Sequence, residues 1–159
     1  KILGFGEGGF AVVPKEEYGS VNAISGFGYL EDKVYSPLSS NFKISDVSSA
    51  YILSHIRNFP IAKYMDIQNN IIDKLSKVGV TPFNYRPGTV YGSLPVLFEK
   101  RVEVDHFDNY NIEVKKYYKP LLGLENSLDI YSRIINFPLH TDLSESDIND
   151  LVEIIRETF

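Results

Sequence analysis

Ile148, Leu151, Val152, Ile155 and Phe159 fall at i, i+3, i+4, i+7 and i+11. That spacing fits a helix with one packed apolar face. Ser144 stands where it can cap such a helix, and Glu145 and Asp147 occupy the first turn, where the helix dipole favours negative charge. A second stripe runs through Tyr64, Ile67, Ile71, Leu75 and Val78 and is closed by Gly79. Between these helices lie strand candidates at 94–98 and 112–117, an extended stretch at 134–139, and short helices at 101–110 and 127–133. A loop over 81–92, holding Pro82, Pro87, Gly88 and Gly92, reads as the crossing into a smaller terminal domain.

The first third is patterned differently. Phe10-Ala11-Val12-Val13 reads as a strand ended by Pro14, whose fixed φ suits a turn better than a central ladder. Residues 16–25 can form a short helix terminated by Gly26 and Gly28, and 29–40 reads as mixed loop. Ser45-Asp46 offers an N-cap to a helix with Val47, Ala50, Tyr51 and Ser54 on one face. Pro60 should break it.

Composition narrows the partners. Apolar residues make up 43% of the 159, ordinary for a packed core. A net charge of -5, with Lys115-Lys116 too short to form a basic run, argues against a nucleic-acid partner bound through its phosphates. No cysteine is present, which excludes disulfides and thiolate metal sites. No apolar stretch approaches the ~18 residues of a membrane span. His55, His106 and His140 lack partners at metal-ligand spacing, and none belongs to a nucleophile–base set. The first residue is Lys1, so a cut or a processing site with a missing upstream partner is the expectation.

The opening, Lys1-Ile-Leu-Gly-Phe-Gly-Glu-Gly-Gly-Phe10, carries the most chemical information. Gly4, Gly6 and Gly9 satisfy G-x-G-x-x-G, but the nicotinamide-binding fingerprint needs a strand before it and a helix after it. Here a strand pattern follows. A kinase glycine loop would need H-R-D and D-F-G segments, and the chain has neither. A plain tight turn, using the freedom of glycine at positive φ, also accounts for the cluster taken alone.

With its order and spacing, the segment resembles the cofactor-lysine stretch of the DegT/DnrJ/EryC1/StrS sugar aminotransferases, where a lysine carrying pyridoxal 5'-phosphate (PLP) precedes Glu-Gly-Gly and a strand. Three later stretches resemble the same family in the same order. Ser40-Asn41-Phe42-Lys43 leads into Ser48-Ser49-Ala50, like the asparagine-x-basic segment before an alanine-containing helix. Tyr117-Tyr118-Lys119-Pro120-Leu121 resembles the Y-x-P-L segment. Asn136-Phe137-Pro138-Leu139-His140 with Asp142-Leu143-Ser144 resembles the turn before the last helix. The sequence departs from the family where Ser48-Ser49 replaces Gln-Ala and where Lys43 stands in place of a common arginine, keeping charge but losing the bidentate fork.

The resemblance implies an α/β fold, the C-terminal part of a fold-type-I PLP-dependent transferase. Residues 1–80 would end the PLP-binding large domain and 81–159 would form a small α/β domain. It implies that Lys1 holds PLP covalently, and that Asn41 and Lys43 reach the cofactor phosphate of the neighbouring subunit of a homodimer with shared active sites. The reaction implied is amino transfer to a nucleotide-linked keto-deoxy sugar, with glutamate as donor, in the cytoplasm, for amino-sugar and surface-polysaccharide synthesis. An unperturbed lysine titrates near about 10.4, so base catalysis by Lys1 needs burial or a nearby cation. The related dehydratases replace that lysine with histidine, so Lys1 points away from them. The family's upstream aspartate, stacking group and phosphate hydroxyls have no counterpart here and are expected from an N-terminal half in the same or another chain. The alternative is a non-catalytic remnant or dimerisation module of the same fold.

Overall fold

A computed structural model of the chain describes residues 9–28 and 38–159. They form two compact units that divide between Phe59 and Pro60.

In the first unit a 3-10 turn over Lys15–Glu17 runs into helix α1, Tyr18–Ser25. Gly26 then pairs with Asn41 as an isolated antiparallel bridge. Helix α2, Asp46–Asn58, begins at Ser45, whose Oγ accepts from the Ser48 backbone N–H at 3.1 Å. Pro60 ends it as expected: the Phe59 backbone turns extended (φ -66, ψ 123), and the next helix starts at Ile61. The expected strand over 10–13 is not formed. Those residues have no ladder partner among the described residues, and Phe10 and Val12 are exposed. A strand exists only by pairing, so an apolar run without a neighbour stays irregular.

The second unit is built on helix α3, Ile61–Lys77, whose buried face is Tyr64, Gln68, Ile71 and Leu75. The stripe read from sequence put Ile67 and Val78 on that face; Gln68 takes the place instead, and Val78 is exposed. Gly79, at φ +81, closes α3 with bonds from its own N–H to Ser76 O (3.1 Å) and from Val80 N–H to Leu75 O (2.9 Å). This pairing needs a left-handed residue, which glycine adopts without a Cβ clash.

Strand β1, Leu94–Leu97, runs antiparallel to β2, Ile134–Phe137, with Leu94 opposite Phe137 and Leu97 opposite Ile134. Lys115 bridges Asn136 on the far edge of β2, so the expected strand over 112–117 is reduced to one bridged residue. The short helix expected over 101–110 is one 3-10 turn, Val104–Phe107. Helix α4, Glu125–Arg133, feeds directly into β2.

Helix α5, Glu145–Thr158, buries Ile148, Leu151, Val152 and Ile155 of the stripe read from sequence, whereas Phe159 follows the helix and is exposed. Its capping box is complete: Ser144 Oγ accepts from Asp147 N–H, and the Asp147 carboxylate accepts from Ser144 N–H at 2.8 Å. α3 and α5 are joined at their polar edges, where Lys74 Nζ meets Glu145 at 2.8 Å and Asn149 Oδ1 at 2.8 Å. Phe107, Phe98 and Phe137 fill the centre, with Phe107 edge-on to Phe137 at 5.4 Å between centroids.

Candidate cofactor-phosphate segment

The candidate residues Asn41 and Lys43 lie on the chain that returns past the end of α1 and enters α2. Three backbone bonds fix this return: Ser40 N–H to Ile24 O (3.2 Å), Phe42 N–H to Ser25 O (3.0 Å) and Phe27 N–H to Ser40 O (3.2 Å). The turn that permits them puts Phe27 at φ 68, a left-handed conformation that side chains other than glycine adopt at a cost. That turn places the Phe27 ring beneath the Lys43 ammonium, 4.7 Å from Nζ to the centroid. The contact holds the charge beside the entrance to α2.

Asn41 and Lys43 are both exposed. The segment Asn41-Phe42-Lys43-Ile44-Ser45 offers an amide and an ammonium before its first carboxylate at Asp46. This donor set fits an anionic oxygen such as phosphate, with lysine acting as a point charge. Ser45 is committed to the cap, its Oγ also donating to Ser48 Oγ at 2.9 Å. Lys1, the third candidate, lies outside the described residues, as do the glycines up to Gly8.

In the second unit, an open groove of about 790 Å³ lies between the 109–113 loop and α5. Glu113, Asp147, Asp150, Glu153 and Glu157 line it. Negative charge of this density repels phosphorylated ligands, so the groove does not suit a nucleotide. The described residues contain no group of side chains that could hold a metal ion. His140 Nδ1 accepts from Asp142 N–H at 3.3 Å, and His106 packs edge-on to Phe107 at 5.1 Å.

Sequence reasoning overlooked the polar groups that organise this unit. Lys116, with a side chain only 6% exposed, donates to Val102 O, Ser132 O and Glu103. Gln68 is buried and holds the loop after α3. Neither has a periodic signature; a polar residue inside an otherwise apolar helix stripe was the one available hint for Gln68.

No family model matches the chain. A dTDP-4-amino-4,6-dideoxy-D-glucose transaminase from Shigella dysenteriae is 24% identical over 184 aligned positions, covering 99% of this chain and 50% of that protein. Among solved structures, a DegT DnrJ EryC1 StrS aminotransferase from Brucella abortus superposes with a TM-score of 0.72 at 20% identity, over 91% of this chain and 44% of that one. The apo form of a sugar aminotransferase from Streptococcus pneumoniae gives 0.71 at 16% identity, over 92% and 44%; that protein is also known in PLP and PMP forms. The chain thus spans about half the length of the proteins it matches. In fold, this chain is similar to a little under half of these aminotransferase structures, the α/β architecture that the sequence resemblance implied.

Proposed function

We propose that the chain is the C-terminal half of a PLP-dependent sugar aminotransferase that transfers an amino group, with glutamate as donor, to a nucleotide-linked keto-deoxy sugar. Its setting would be cytoplasmic synthesis of amino sugars for surface polysaccharide. The observation that carries this reading is the match to the Shigella dysenteriae transaminase along 99% of the chain. A dTDP-linked sugar is the substrate class that relative's name suggests. No helix among the described residues is long and apolar enough to cross a membrane, which accords with that setting.

In this reading Lys1 holds the cofactor covalently through Nζ, and the same amine, once released, moves the proton at the reacting carbon. Asn41 and Lys43 bind the cofactor phosphate, their donors pre-positioned by the Gly26–Asn41 bridge and the Phe27 ring. PLP supplies the electron sink when bound. Residues 1–80 complete the large domain with an N-terminal half in the same or another chain, and 81–159 form the small domain, on which the last large-domain helix, α3, packs as part of the second compact unit. A homodimer would let Asn41 and Lys43 serve the neighbouring site.

The test joins the chain to the unmatched N-terminal half of the Shigella dysenteriae relative, adds PLP, reduces with borohydride and maps the adduct by mass spectrometry. A reduced pyridoxyl group on Lys1, absent in Lys1→Arg, is expected. An adduct-free Lys1 overturns the reading and favours the non-catalytic module.

A further inference from the structure

The groove between the 109–113 loop and α5 has an apolar floor inside an anionic rim. Tyr110 and Ile112 from the loop, Leu143 just ahead of the helix and Ile154 within it are half-buried along the floor. The core stripe of α5 is complete without Ile154, which stands about 100° round the helix from Ile155 and lines the groove. Asp150, Ile154 and Glu157 follow at i, i+4 and i+7, so a carboxylate stands on each side of that aliphatic group along the helix. Neither Asp150 nor Glu157 has a hydrogen-bond or ion-pair partner among the described residues. The other carboxylates are committed: Glu113 to Lys115 at 2.7 Å, Glu153 to Arg156, and Asp147 to Ser144. Among the described residues lining the groove there is no lysine or arginine.

We infer that this groove docks a basic amphipathic segment of a partner protein. Apolar side chains of that segment cover Ile154, Tyr110 and Ile112, and its lysine or arginine side chains meet Asp150 and Glu157. Charge complementarity selects the occupant: two unpaired carboxylates with no cation beside them attract a basic partner and turn away an acidic one. The layout selects its class. An apolar centre within a charged rim is the anatomy of a protein interface, and a long basic side chain carries an aliphatic stem and a cation together. A polyamine would answer the carboxylates and leave the floor in water. A second copy, meeting the groove across a two-fold axis, would set the same carboxylates against each other, and the chain already carries a net charge of -5. This surface is independent of the chemistry proposed for Lys1.

The experiment titrates the 159-residue chain into a fluorescein-labelled synthetic peptide of lysine and leucine at amphipathic helical spacing, and maps the bound chain by hydrogen exchange. A peptide of the same composition with its stripe scrambled, and spermine, serve as comparisons. Binding of the amphipathic peptide, weakened by added salt, with protection of 109–113 and 150–157, is expected. Asp150→Asn and Glu157→Gln should each weaken it about two- to fivefold, and Ile154→Ala about three- to tenfold. Urea midpoints of the Asp150 and Glu157 variants should stay unchanged, since neither side chain has a partner to lose. Equal binding of the scrambled peptide, affinity indifferent to the three substitutions, or no binding at about 1 mM chain overturns the inference. Spermine binding as tightly, with the same dependence on Asp150 and Glu157, reassigns the groove to a small cation and overturns it too. So does self-association of the chain that those substitutions abolish, which assigns the groove to a second copy.

Discussion

The Lys116 ammonium donates to the Val102 carbonyl at 2.6 Å, tying the segment after the 3-10 turn to the one before it. The same nitrogen reaches Ser132 O, in the last turn of α4, at 3.2 Å, and Glu103 Oε2 at 3.0 Å. A cation at a helix C-terminus is favoured by the exposed carbonyls there, and here every N–H of the ammonium has an acceptor. Lys116→Met keeps the buried stem but removes three charge-assisted bonds and strands the Val102 carbonyl, while Ser132 O keeps its bond from Val102 N–H. We expect a loss of about 2–3 kcal/mol in urea unfolding. Glu103→Gln should cost well under that, because Glu103 is half exposed and water replaces its contact.

Gln68 works on the loop after α3 as a neighbouring strand would. Its Nε2 donates to Thr89 O at 2.7 Å, and its Oε1 accepts from Tyr91 N–H at 2.9 Å. Tyr64, one turn earlier, donates to Tyr91 O at 2.5 Å. Gln68→Leu preserves volume but leaves both backbone groups unmet, a cost of about 2–3 kcal/mol. Amide exchange at Tyr91 should accelerate while the α5 core stays protected. Tyr64→Phe should cost about 1 kcal/mol.

These two sites show where sequence reading stops. α5 was legible because its core contacts are spaced by the helix period and its cap is a local motif; Ser144 and Asp147 need no distant partner. The 94–97 and 134–137 strands were legible as apolar runs of the right length. Lys116 was passed over as half of a lysine pair, because its acceptors come from residues 102 and 132, distant in sequence. Phe10–Val13 misled because composition can nominate a strand but cannot supply its neighbour. Asn41 and Lys43 could be placed on one segment, whereas the Phe27 ring beneath Lys43 depends on a positive φ with no glycine to announce it.

Uncovered and covered aliphatic side chains should respond differently in the chain by itself. Ile155 is fully buried in α5 and Phe137 fully buried in β2. Ile155→Ala should cost about 2–5 kcal/mol, and Phe137→Ala about 3–5. Leu53→Ser, on exposed α2, should change stability by no more than about 0.5 kcal/mol. Urea midpoints at constant m-value distinguish these outcomes. A large loss at Leu53 would mean that α2 is already packed.

The start of α5 makes the second unit sensitive to acid in a defined direction. Hydrogen bonds from the Ser144 hydroxyl and N–H hold the Asp147 carboxyl below its ordinary value. Lys74 and Asn70 do the same for Glu145. A depressed folded-state pKa means that the unfolded chain takes up protons first as pH falls. The stabilisation is therefore present above the ordinary carboxylate range, near about 4, and is lost as pH descends through the lower folded values. Urea midpoints should stay level from about pH 7 to 5 and drop below about pH 4. Asp147→Asn should flatten that drop by removing one of the responsible groups, at the cost of a weaker cap at neutral pH. Ser144→Ala should lose about 1 kcal/mol at neutral pH and shrink the acid slope as well, because the hydroxyl that lowers Asp147 goes with it. An unchanged slope in both variants would place the acid sensitivity at the other lowered carboxyls: Glu145, held by Lys74, Asp129 by Arg133, Glu103 by Lys116, or Glu113 by Lys115.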